Sequence, residues 1–215
     1  MIDTIPKFRR EPAEQRRESL IQATLSLIAE KGIGGATVRA IASRAEVTQG
    51  LIRHHFSSKD DLVLAAYEYH MRRMTDIASA GAGRDGSTAR SRLAIFVSAT
   101  LTPPVLDPGA VMLWAGFLNK VPGDARMREI HERTYHGFRN QLEAQIAAVL
   151  HEAGRDVDAD ELRRLAIASN AVLDGLWLEG GALPDAFSAE ELLAIGLKSV
   201  SAIIGVDLAV AEEQR

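Results

Sequence analysis

The chain contains no cysteine. Disulfides, thiol nucleophiles and cysteine-ligated metals are thereby excluded, and the composition fits a reducing cytoplasm. Aromatic residues make up 5% of the 215 positions, and no long stretch alternates Val, Ile or Thr with polar residues as a half-buried strand requires. The longest near-continuous apolar stretch, VMLWAGFL, is far short of the roughly 20 residues that span a bilayer. The opening MIDTIPKFRREPAEQRR has no apolar core and does not read as a signal peptide. A soluble, cytoplasmic protein with no membrane association is expected.

What is present favours helix. Hydrophobic residues make up 47% of the chain, enough to fill a core, and Ala and Leu are abundant. The net charge of −4 is unevenly spread: residues 1–75 hold 12 of the 25 basic and 9 of the 29 acidic residues, a net +3, which leaves −7 for the remainder. A basic front suggests a polyanionic partner, although uneven surface charge alone produces the same figure.

PAEQRRESLIQATLSLIAEKG reads as a first helix, with Leu20, Ile21, Thr24, Leu27 and Ile28 on one face and Gly32 just past its end. Thr37 can cap a second helix, TVRAIASRA, and Thr48 a third that runs to His55 and buries Leu51 or Ile52. Ser58 caps a fourth, with Asp60 and Asp61 in its first turn. Helical patterns follow at about 89–102, 109–121, 124–153, 159–180 and 188–204, separated by loops such as TPPVLDPG. The expected fold is all-α, with about nine helices.

Two helices joined by a tight turn, the second polar on its outer face, form a helix-turn-helix. In VTQGLIRHHFSSKDDL, Thr48 and Gln49 stand at the N-terminal end of the second helix, where base edges are reached. Gln can pair with adenine and Arg with guanine. Gly50 permits close approach to a duplex, and Arg53, His54 and Lys59 offer phosphate contacts. Thr37 and its helix N-terminus can present backbone N–H groups to a phosphate. Arg39 and His55 complete the candidate DNA-binding set.

ESLIQATLSLIAEKG, TVRAIASRAEVTQGLIRHHFSSKDDL and their spacing resemble the N-terminal domain of TetR-family transcriptional repressors, closely so over residues 16–62. MLWAGFLNKV and NAVLDGLWLEGG are similar to the C-terminal region of the BetI-like subgroup, which includes regulators of choline and glycine betaine metabolism. Two positions depart from the family pattern. Glu46 stands where its turn usually carries Gly, so a slightly different turn is expected. Arg53 stands where Tyr is frequent, so base preference does not carry over. The resemblance implies an N-terminal arm and DNA-binding domain over residues 1–57, a ligand-binding and dimerisation domain over 58–215, a homodimer, and small-molecule release from a palindromic double-stranded operator. No cofactor, metal or catalytic residue is expected.

Further candidates lie in the second half. Trp114, Phe117 and Trp177 read individually as core residues, but Asp174 lies one turn before Trp177 and Asn170 one turn earlier again. A carboxylate in an apolar stripe is costly unless paired, and aromatic faces with a carboxylate suit an organic cation such as choline. A bond across a dimer interface or to an Arg is the alternative for Asp174. His131 and Tyr135 share a helix face and either line the pocket or pack conventionally. His131 and His136 are five apart, the wrong spacing for a zinc pair. GAGRDG at 81–86 matches a nucleotide-loop pattern but follows a helix, so it reads as a loop. Arg9 and Arg10 belong to an arm that either reaches DNA or stays solvated, and AEEQR at the end reads as solvated.

The broad apolar faces of the last two helices, which include Leu173, Leu176, Ile195 and Val200, predict a symmetric dimer built on a four-helix bundle, with Val200 in its interface. The function expected is ligand-responsive transcriptional regulation, most simply repression. An architectural DNA binder, or a small helical enzyme or carrier with a degenerate DNA-binding head, are the alternatives.

Overall fold

The computed structural model describes residues 13–80 and 88–208, with Ala189 described by its backbone alone. The glycine motif at 81–86, the Arg9/Arg10 arm and the acidic tail lie outside the described residues. Among these there is no strand. Nine α-helices follow one another: α1 (Ala13–Gly35), α2 (Val38–Arg44), α3 (Gln49–His55), α4 (Lys59–Ala80), α5 (Ala89–Thr100), α6 (Pro108–Leu118), α7 (Ala125–Glu152), α8 (Ala159–Ala182) and α9 (Ala189–Ile204). A 3-10 turn, Val121–Gly123, leads into α7. The chain divides into two compact units between Ala66 and Tyr67. That break falls inside α4.

In the first unit, α1 buries Leu20, Ile21, Thr24, Leu27 and Ile28, as its periodicity requires. Gly32 takes φ +69°, which interrupts the helix before Gly35 and suits a residue without Cβ. The Thr37 hydroxyl accepts from the Ala40 N–H at 3.2 Å and caps α2. Thr48 has N-cap dihedrals before α3, but its hydroxyl accepts no N–H from that helix. Ser58 caps α4 through the Asp61 N–H at 3.1 Å.

The turn between α2 and α3 differs from the expectation raised by Glu46. The Glu46 N–H bonds the Ser43 carbonyl and the Val47 N–H reaches back to the Ala42 carbonyl at 2.9 Å, the paired bonds of a Schellman ending. That motif demands a left-handed residue, and Glu46 supplies it at φ +54°. The turn keeps its geometry and the side chain bears the strain, about 1 kcal/mol for a non-glycine residue. The endings of α7 and α9 use the same conformation with Gly154 and Gly205.

The second unit packs α5, α7, α8 and α9 around Leu93, Phe96, Val97, Leu142, Ile146, Val149, Leu173 and Val200. Gly180 and Gly181 near the end of α8 let it close on its neighbours. A Cβ at Gly180 would lie 2.6 Å from Leu192 of α9, and one at Gly181 would run into Val111 of α6. Val200 is fully enclosed in this core and so cannot face a second copy. Of the large apolar side chains of α8 and α9, Leu178, which also lines a cavity, and Ile195 are 43% and 38% exposed.

Glu46→Val places a β-branched residue in the left-handed position. It is expected to lower unfolding stability in urea by about 1–2 kcal/mol, whereas Glu46→Gly leaves stability at or above that of the parent.

Candidate functional site

The first unit carries a polar face on α3. This helix has seven residues, too few to stand alone in water, so the surrounding structure holds it. Ile52 is buried beneath it and Leu51 half-buried, while Gln49, Gly50, Arg53 and His54 are exposed on the other side. His55 is half-buried, with its ring edge-on to His54 at 5.2 Å. Below, Arg44 of α2 binds both carboxylate oxygens of Glu30 on α1 at 2.7 Å, and also meets Ser26. The Arg17 guanidinium covers the Phe56 ring at 5.2 Å.

A Cβ at Gly50 would meet only the Thr48 hydroxyl, at 3.7 Å. Nothing within the fold therefore requires glycine there, and the space it leaves faces outward. Thr48, with its hydroxyl uncommitted to the helix, is exposed alongside. Thr37 and Arg39 are exposed on α2 and its cap, and Lys59 is half-buried in the first turn of α4. The predicted DNA-binding residues thus cluster at the exposed ends and outer face of the helix pair and the start of α4.

The second unit encloses a cavity of about 320 Å³ between α4, the end of α5, α6, α7 and α8. Of the residues singled out from the sequence, Trp114, Tyr135, Asp174 and Trp177 line it. The two indoles meet edge to face, 5.8 Å apart at 84°. Trp177 is pinned by its N–H, which donates to the Val105 carbonyl at 2.8 Å. The Tyr135 hydroxyl donates to Asp174 Oδ2, and the Asn170 amide donates to the same oxygen at 2.8 Å and to the Tyr135 hydroxyl at 2.7 Å.

Asn170 and His131 stand one layer behind the wall. Asn170 is buried, and its Oδ1 has no partner. Turning the amide over would set that oxygen against the carboxylate, so the unpaired oxygen is the smaller penalty. The His131 ring stacks on Tyr135 with 5.5 Å between centroids, and its Nδ1 lies 2.6 Å from the Tyr67 hydroxyl. Burial lowers the His131 pKa and raises that of Tyr67. Phe117 does not reach the cavity: it is fully buried against Tyr67, 4.7 Å between centroids. His136, by contrast, is exposed.

Burial raises the pKa of Asp174, against the opposing effect of Tyr135, Asn170 and His131. Tyr135 is pushed up to about 12, first by burial and then by its bond to Asp174. Among the described residues no Lys or Arg pairs with Asp174. The carboxylate therefore faces the cavity with two neutral donors and no countercharge.

Sequence reasoning passed over the α4 wall of this cavity: His70, Met71, Met74 and Thr75. Their spacing places them on one helical face, a signal that was present but not used. Phe138 lies on the Tyr135 side of α7, whereas Thr100 and Val105, before and within the proline-containing loop, carried no periodic signal.

Residues 20–66 match the description "Bacterial regulatory proteins, tetR family", and residues 89–205 match "BetI-type transcriptional repressor, C-terminal". The HTH-type transcriptional regulator BetI of Burkholderia ambifaria is 29% identical over 167 residues, covering 78% of this chain and 82% of the relative. That of Burkholderia thailandensis is 26% identical over 182 residues, 85% and 90% of the two chains. A crystallised candidate transcriptional regulator from Pseudomonas aeruginosa PAO1 superposes with a TM-score of 0.82 at 32% identity, over 93% of this chain and 95% of that one. A similar candidate regulator from Saccharomonospora viridis, in complex with choline, has the same fold: TM-score 0.71, 22% identity, 85% and 94% coverage. With a helix-turn-helix head matched at one end and a repressor domain matched over more than half its length, the chain belongs to the TetR family of bacterial transcriptional regulators, with a BetI-type C-terminal domain.

Proposed function

We propose that this regulator is a cytoplasmic homodimer that holds an operator through α3 and releases it when an organic cation enters the cavity. The observation that carries the effector class is Asp174: a half-buried carboxylate with no cationic partner among the described residues, in a cavity walled by Trp114 and Trp177. A quaternary or protonated amine supplies the missing charge and presents its apolar surface to the ring faces. The choline complex of the Saccharomonospora regulator is consistent with this class. No described helix is long and apolar enough to cross a membrane, and the relatives are regulators, so the protein is read as a binding module, not an enzyme.

On DNA, Gln49 and Arg53 reach bases or adjacent phosphates. Thr48 stands beside Gln49 at the base-edge end, Gly50 permits close approach with His55 at the edge of the face, and His54, Thr37, Arg39 and Lys59 meet backbone. The head is residues 1–57 and the remainder is the effector and dimer domain. Three residues separate the end of α3 from the start of α4, which supplies four residues to the cavity wall. A ligand that binds better to one position of α4 shifts the population of heads away from the spacing an operator requires, and it does so only through that difference in affinity. The dimer is built on α8 and α9, through the outward side chains Leu178 and Ile195.

Gln49→Ala is expected to relax operator preference at one or two base pairs, costing about 1–3 kcal/mol at the preferred site. Lys59→Ala weakens all sequences alike and reduces the salt slope by about one phosphate. Fluorescence anisotropy across operator variants checks both, and an unchanged preference in Gln49→Ala refutes the assigned face.

Trimethylammonium compounds are expected to raise the melting temperature and release operator DNA, and Asp174→Asn abolishes both effects. The unliganded variant behaves in the opposite sense. Because the folded state raises the Asp174 pKa, it binds that proton more tightly than the unfolded chain. The contribution is then most favourable at low pH and is lost as pH rises from the ordinary carboxylate value of about 4 through the folded one. Asp174→Asn removes that loss, so its unliganded melting temperature at pH 7 exceeds that of the parent, and the difference shrinks on acidification.

Ile195→Glu is expected to shift the dimer towards monomer in sedimentation velocity at micromolar concentration and to weaken operator binding with it. A parent protein that is monomeric under those conditions refutes the dimer.

A further inference from the structure

We propose that His70 is the second polar anchor of the cavity: it receives a neutral hydroxyl or carbonyl group carried by the cationic effector, and so selects among cations that satisfy Asp174 equally well. This rests on the reading of the cavity as a cation site.

His70 lies on the cavity wall and is only 6% exposed. Among the described residues no hydrogen bond, ion pair or ring contact reaches it. Its ring nitrogens are not among the fully buried unpaired polar atoms, so they open onto the cavity, where a ligand can meet them. Its neighbours in the lining are already committed. The Thr75 hydroxyl donates to the Met71 carbonyl at 3.1 Å, the Thr100 hydroxyl to the Val97 carbonyl at 2.6 Å, and the Trp177 N–H to Val105. The Trp114 N–H is also uncommitted, but that ring is half-exposed.

Chemistry narrows what His70 accepts. Burial pushes its pKa down to about 4, so at neutral pH the ring carries one donor and one acceptor and no charge. A hydroxyl can use either nitrogen, and a carbonyl can accept from the protonated one. A carboxylate is disfavoured twice: it would need an imidazolium to balance it, and it would share the cavity with Asp174. Space allows a second group. The cavity of about 320 Å³ is roughly twice the ~150 Å³ that encloses benzene. Asp174 lies on α8 and His70 on α4, so a ligand that meets both joins the two helices, and Met71 and Met74 offer deformable surface for the chain between its ends.

Isothermal titration of the intact protein with choline, ethyltrimethylammonium and glycine betaine tests the assignment. The first two share a cation and differ by one hydroxyl; the third carries a carboxylate. The parent protein is expected to prefer choline over ethyltrimethylammonium by about five- to tenfold and to bind glycine betaine more weakly than either. In His70→Phe the hydroxyl preference disappears while ethyltrimethylammonium affinity stays within about twofold. His70→Gln, which retains a donor and an acceptor, restores part of the preference. A parent protein that binds both cations equally, or a preference that survives in His70→Phe, overturns the role of His70 and leaves the cation site standing. If neither cation binds the parent protein, the cation reading fails and the His70 assignment falls with it.

Discussion

Asp174 is half-buried in the second unit with Tyr135 and Asn170 as its donors and, among the described residues, no Lys or Arg to neutralise it. Most of what surrounds the cavity follows from that uncompensated carboxylate. Tyr135 must be held where its proton reaches Oδ2, so its ring is stacked on His131. His131 is in turn fixed by Tyr67, whose ring packs on Phe117. Asn170 must aim its amide inward even though this strands its own oxygen. A carboxylate so placed carries a desolvation penalty that its two neutral donors offset only in part.

This order of dependence explains why Phe117, His131 and Asn170 do not touch the cavity yet belong to it. They form a support that runs from the carboxylate through Tyr135 and His131 to Tyr67 on α4. Preorganisation of this kind lowers the cost of ordering the binding groups. It also ties the pocket to α4, the helix that begins beside the recognition element.

Much of this was legible in the sequence because its signals are local. Thr37 and Ser58 begin helices, Gly154 and Gly205 end them, and Leu20, Ile21, Leu27 and Ile28 repeat at helical spacing; each acts within a few residues. The aromatic and acidic residues of α6, α7 and α8 were also found, because each helix face can be read separately. What escaped needed distance information. Val200 reads as a dimer-interface residue when α9 is taken alone and proves to be core because α5, α7 and α8 close over it. Phe117 has the composition of a pocket wall but lies behind it. Glu46 shows the limit of local rules in the other direction: the hydrogen bonds of the turn from Ser43 and Ala42 outweigh the preference of one side chain.

The bond from Trp177 to the Val105 carbonyl has a further consequence for how the cavity can change over time. It fixes one side of the binding space, indole and carboxylate together, while the facing side on α4 contains two methionines that repack at little cost. Substitutions that alter the reach or shape of an accepted molecule can therefore accumulate on α4 without disturbing the charged end. Lineages that share this arrangement are free to diverge on the α4 side while the side that holds the indole and the carboxylate stays fixed.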